Sequence, residues 1–150
     1  MAVTYIWSRL ETLTAPQLHT ILQARAAVFV VEQACVYQDV DGLDAHAWHL
    51  QLLHDGQLAA YARVVDAGWK YPQPSIGRVL TVAAYRGQGL ARLLMQEAMR
   101  GTQAHNPQAG IEISAQAYLQ DFYASLGFVA IGDVYDEDGI PHIGMRKPPE

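Results

Sequence analysis

The chain has 150 residues, 51% of them hydrophobic, with 10 Lys and Arg against 15 Asp and Glu for a net charge of −5. That composition describes one folded domain over residues 1–150 and excludes a disordered chain. The acidic balance gives no general attraction to nucleic acid or anionic lipid, the single Cys35 rules out an internal disulfide, and no apolar run of about 18 residues is present to cross a bilayer.

The opening MAVTYIWSRLETL has no basic region followed by a long apolar run, so no signal peptide is expected and a reducing, cytoplasmic setting is the default. Within it VTYIW alternates like a strand. TAPQLHTILQARAAVFVVEQ reads as a helix, with Thr14 as N-cap, Pro16 just inside, and an apolar stripe of Leu18, Ile21, Leu22 and Ala26. ACVYQDVDGLDAH breaks that pattern and reads as a loop. AWHLQLL, Asp55-Gly56 and QLAAYARVV form a hairpin signal, because Asp-Gly suits the left-handed positions of a tight primed turn. SIGRVLTV is a further strand, feeding YRGQGLARLLMQEAM. There a glycine corner opens a helix whose Leu90, Leu93, Leu94 and Ala98 recur at helical spacing. GIEISA reads as a strand, YLQDFYASLG as a short helix stopped by Gly127, and FVAIGDVY with IPHIGM as a second hairpin around Asp138-Gly139. The order, a strand, helices, three strands, a helix, a strand, a helix and two strands, describes a single α+β domain.

The corner carries the strongest chemical signal. A glycine turn between a strand and a helix N-terminus points free N–H groups at an anion, with the helix dipole adding partial positive charge. A phosphate loop of the GxxxxGK type is absent. A dinucleotide fingerprint also fails, since Arg92 stands where its third glycine belongs. What remains is a plain turn or another anion site. Elsewhere, DVDGLDAHAWH is out of register for a calcium loop, and His46 and His49, placed in one strand, would face opposite sides, so no metal is expected. Cys35 reads as a small buried thiol, with no histidine beside it in sequence.

The pattern Arg86-x-x-Gly89-x-Ala91 between strand and helix resembles the acyl-CoA pyrophosphate loop of the GNAT acetyltransferase superfamily. AQAYLQDFYASLGF is similar to that family's following segment, and RAAVFVVEQACVYQDVDGLD with EDGIPHIGM resembles its ElaA-like branch. The resemblance covers the whole chain. It implies a GNAT-like fold, a mixed central sheet of about six to seven strands flanked by helices and splayed at the CoA site, with acetyl-CoA as co-substrate and N-acyl transfer to an amine on a small molecule, a peptide or a lysine. The rival from another class is a non-catalytic acyl-CoA-binding or sensor domain. A nucleotide-binding regulator would need the corner to prefer ATP or NAD. Members of the superfamily often pair, so a homodimer is compatible with the chain.

Carried over residue by residue, the resemblance implies that Leu80, Thr81 and Val82 meet the pantetheine arm with their backbone groups. Arg86, Gly87, Gln88, Gly89, Leu90 and Ala91 would then wrap the pyrophosphate. Gln116 stands where the family often has asparagine, and Phe122 falls on the cofactor side. Tyr123 matches the family's general acid; it also suits plain packing beside Leu119, Phe122 and Leu126. An alkyl amine of pKa about 10.4 needs a group to take its proton. Glu32, in the apolar stretch VFVVEQ, is one such group, with a capping or solvated role equally open. His142 is a shuttle or a structural histidine. Asp39, Asp41 and Asp44 form an acidic mouth for a cationic acceptor or order loop turns.

Overall fold

In the computed structural model, which describes residues 2–149, the alternating segments become seven strands. They are β1 (Val3–Arg9), β2 (Ala47–His54), β3 (Gln57–Val65), β4 (Ser75–Thr81), β5 (Ile111–Gln116), β6 (Val129–Glu137) and β7 (Ile140–Lys147). Both Asp-Gly turns behave as read. Asp55 and Gly56 have φ of +50° and +81°, and Asp138 and Gly139 have +53° and +81°, the left-handed pair that a right-twisted hairpin requires. The strands form one sheet in the order β1-β2-β3-β4 and another in the order β5-β7-β6, with every pairing antiparallel. The expected mixed sheet is thus two sheets that meet at β4 and β5.

That meeting creates the site. One backbone bond, from the Glu112 N–H to the Pro74 carbonyl at 3.1 Å, joins the two strands where they begin. Beyond it they are not paired to each other. A β-bulge pushes β4 aside: its register with β3 shifts between Tyr61 and Arg63, and Arg78 sits at φ +49°, in the left-handed region that non-glycine residues avoid. The inserted residue bends the strand and opens a wedge between the sheets.

Helix α1 (Ala15–Arg25) starts with a full capping box, Thr14 accepting from the Gln17 N–H while the Gln17 side chain accepts from the Thr14 N–H. Only part of its predicted stripe holds. Ile21 is fully buried, Leu18 and Leu22 are half-buried, and Ala26 is exposed. The reason is a change of pitch. From Ala26 to Glu32 the helix widens to a π-helix, with Gln33 and Cys35 bonding carbonyls five residues back, so the 3.6-residue register ends at Arg25. Helix α2 (Leu90–His105) buries Leu90, Leu94, Met95 and Ala98, with Leu93 half-buried, and meets the core of Leu50, Leu52, Ala60, Ala62 and Ile113. Helix α3 (Gln120–Ala124) is short and brings Tyr123 and the half-buried Phe122 against that core. No helix among the described residues is long and apolar enough to cross a membrane.

Candidate active site

The glycine corner is an open cradle. After β4 a tight turn runs from Ala83 to Tyr85, then Gly87 and Gly89 take φ of +80° and +75°. Gly89 is the N-cap of α2 and no side chain caps the helix. The first helical bond is Leu93 N–H to the Gly89 carbonyl at 3.4 Å, which leaves the N–H groups of the first turn without intrahelical partners. Nothing lies within 4 Å of where a Cβ would stand on either glycine, so their role is conformational and the space in front of them is free. Gln88 is exposed on the same turn, while the Leu90 side chain points into the core, leaving its N–H for the corner. Arg86 closes one edge. Its Nε donates to the Thr81 carbonyl at 3.2 Å, and its Nη2 donates to Glu32 at 2.8 and 3.2 Å.

From this corner an apolar groove of about 170 Å³ leads inward, lined by Val79, Thr81, Ala91, Leu119, Phe122 and Tyr123 among others. It joins a larger cleft of about 560 Å³, and both are bounded by Val79, Leu80, Thr81, Leu119 and Tyr123. The Tyr123 ring is buried edge-on against Phe122 and Phe128. Burial, and then neighbouring Tyr118, push its hydroxyl up to about 12, so it carries a proton at neutral pH. Residues 16–148 match the family of the acetyltransferase (GNAT) domain. The chain belongs to the GNAT acetyltransferase family. An acyl-CoA N-acyltransferase from Pseudomonas aeruginosa is 44% identical, with a TM-score of 0.92 over 97% of this chain and 99% of that one. Escherichia coli ElaA is 38% identical, with a TM-score of 0.90 over 97% of this chain and 99% of that one. A UPF0039 protein of Synechocystis is 44% identical over 99% of both chains.

Against this GNAT frame the predicted residues sort themselves. Of the three expected backbone partners on β4, Val82 and Leu80 turn backbone groups to the neighbouring strand. The Val82 N–H donates to the Ala59 carbonyl at 2.8 Å, and because antiparallel bonding alternates, Leu80 is likewise committed to Tyr61. Thr81 between them turns its N–H and carbonyl away from β3, toward the wedge. Leu80 instead contributes its side chain to the groove wall. Gln116 lines the larger cleft and stands opposite His142 in the β5–β7 register. His142 is buried, with Nδ1 2.7 Å from the Ile140 carbonyl and Nε2 3.2 Å from a Glu137 carboxylate oxygen. Glu32 lines the same cleft, but the apolar setting expected for it is absent: its side chain is 40% exposed and ion-paired to Arg86. His46 also moves from its expected place. It lies in the turn before β2 and stacks on Trp69, while His49 is buried in β2, so the two rings are separated by position and not by strand alternation. The thiol of buried Cys35 donates to the Asp138 carbonyl at 3.1 Å.

A buried ionic lattice under the cleft was not foreseen. Arg25, fully buried, donates to Asp39 at 2.9 Å and to Asp44 at 2.8 Å. Arg63, 2% exposed, donates to Asp41 at 2.7 Å and Asp44 at 3.0 Å, and Arg78 pairs with Asp39 at 2.8 Å and Asp41 at 3.2 Å. The three loop carboxylates are therefore spent on arginines, which overturns the reading of an acidic mouth. Burial alone would raise Asp44; hydrogen bonds and charge from Arg25, and then Arg63, outweigh it and hold the carboxyl below its usual range. Desolvation pushes His49 down, so its neutral ring donates from Nε2 to the Asp44 carbonyl at 2.9 Å and accepts at Nδ1 from Tyr61 at 2.7 Å. A signal for this lattice exists in the alternation of the third strand: Tyr61, Arg63 and Val65 share the face that α1 covers, so an arginine there must find buried carboxylates.

Proposed function

We propose that the protein moves an acetyl group from acetyl-CoA directly to an amine acceptor. One observation carries this reading: the groove from the uncapped α2 corner reaches Tyr123 and opens there into a second, larger cleft. A donor and an acceptor can thus enter from different sides and meet at one tyrosine hydroxyl. The corner fits the pyrophosphate chemically, with two positive-φ glycines, free first-turn N–H groups from Leu90 to Arg92 and the Arg86 guanidinium. Gly87, Gln88, Gly89, Leu90 and Ala91 hold it through the main chain. Thr81 orients the pantetheine arm with its outward backbone groups, against a wall of Leu80 and Phe122, and Gln116 borders the far side.

Bound acetyl-CoA supplies the thioester carbonyl that the amine attacks. The chain's residues supply position and protons. The Thr81 N–H stands at the wedge as a donor for the carbonyl oxygen. Tyr123 gives its proton to the departing thiolate; a thiol of pKa about 8.5 is already a fair leaving group, so this help is modest. Glu32 and His142 face the cleft and receive the amine's proton. Arg86 cannot grip both Glu32 and a pyrophosphate equally, so donor binding frees the Glu32 carboxylate. Steady-state thiol release with acetyl-CoA across a panel of small amines, amino acids and peptides tests the reading. Amine-dependent release with formation of an amide product is expected. Acetyl-CoA binding without release to any amine would leave an acyl-CoA-binding domain instead.

A further inference from the structure

We infer that the acceptor amine also carries an anionic group, a carboxylate in the first instance, held by Lys70 in the cleft of about 560 Å³; this rests on the acyl-transfer reading above. The cleft is mixed in charge. Lys70, Arg63 and Arg78 line it together with Glu137 and Asp138, and Glu137 is the carboxylate whose charge acts most on Lys70. Three guanidinium groups, Arg25, Arg63 and Arg78, meet three carboxylates, Asp39, Asp41 and Asp44, in a balanced set. Lys70 lies outside that balance. Its ammonium sits 5.6 Å from the Tyr71 ring and has no carboxylate at ion-pair distance among the described residues. Arg63 has capacity left as well, for its buried Nε–H has no hydrogen-bond partner.

An anion seated here would gain a charge-assisted bond that the protein leaves unmade. The dimensions select a small molecule. The volume is that of an ordinary ligand pocket, and three residues of β4, about 10 Å of strand, separate Arg78 from Thr81 at the reacting end. One zwitterion can then place its carboxylate at Lys70 and its amine toward Tyr123 at the reacting end. A polycationic protein tail would meet Lys70 and find Asp39, Asp41 and Asp44 already paired with arginines.

The test is a set of matched acceptors: amino acids of increasing carboxylate-to-amine spacing, each against its own amide, with phosphoethanolamine against ethanolamine. The acid is expected to exceed its amide by about ten- to a hundredfold in kcat/KM. Lys70→Ala should shrink that ratio toward one, and Lys70→Glu should reverse it; Lys70 is exposed, so neither change threatens the fold. Preference for the phosphate pair assigns the anion to a phosphate. Thermal shifts in saturating CoA separate the two levels of the argument. A CoA response with acid and amide treated alike overturns the anion site. An acid-dependent shift in a protein that ignores CoA keeps the anion site and removes the acyl-CoA reading.

Discussion

Tyr123 is deeply packed, yet no protein group among the described residues hydrogen-bonds its hydroxyl. Removing that oxygen therefore costs little folding energy and exposes its chemical role. We expect Tyr123→Phe to change stability by less than about 1 kcal/mol and to lower kcat by about ten- to a hundredfold, measured by denaturant melts and thiol release. Because burial raises this tyrosine to about 12, it keeps its proton through the alkaline working range. At saturating acceptor, kcat should not decline between about pH 8 and 10 through loss of an acid; a Tyr123-dependent decline there would remove the residue from that role. Arg25 behaves in the opposite way. Arg25→Met strands Asp39 and Asp44 in the interior and should cost about 3–5 kcal/mol in a urea melt. The sign of its pH dependence follows from Asp44, whose lowered carboxyl stabilises the fold above its unfolded value and loses that contribution as pH falls through the folded one.

At the scale of elements, the turns and caps were legible because their chemistry is local. Asp-Gly pairs, the Thr14 N-cap with Pro16 behind it and the Gly87-Gln88-Gly89 corner each specify a backbone conformation within four residues. The π-helical stretch and the bulge at Arg78 were not legible. Both arise where distant segments force a local departure: Arg25 and Arg78 reach the same Asp39 from different elements. Which backbone groups of Leu80, Thr81 and Val82 face the wedge was not legible for a related reason, since which face of β4 bonds β3 depends on register and not on composition. Gly89→Ala places a side chain at φ +75° and should cost about 1–2 kcal/mol of stability, with a larger loss in CoA affinity. Gly101 serves a different end. A Cβ there would overlap the Trp7 indole where α2 crosses β1, so Gly101→Ala should destabilise by about 1–3 kcal/mol while leaving CoA affinity intact.

For the molecule as a whole, the two sheets, linked by the Pro74–Glu112 backbone bond where β4 and β5 begin, make one wedge, and donor groove and acceptor cleft open from it on either side of Tyr123. The fold class was readable from element order; the wedge was not, because it is made by pairing that stops. Buried phenols give the assembly a shared pH response. Burial raises Tyr37 and Tyr61, and it pushes Tyr71 and Tyr123 up to about 12. Their neutral forms are favoured in the folded state, so this stability is complete below the unfolded value of about 10 and is lost as pH climbs through the folded ones. The melting temperature should decline steeply between about pH 10 and 12 after little change from these groups below about pH 9. The most direct test of the central claim is a thermal-shift comparison of acetyl-CoA, CoA, ATP and NAD on the wild-type protein and Gly89→Ala. A ligand at a hundred times its Kd adds about 2.7 kcal/mol. Stabilisation by acetyl-CoA and CoA alone, weakened in Gly89→Ala, is the predicted result. Stabilisation by ATP or NAD without any response to CoA would contradict the assignment of the corner.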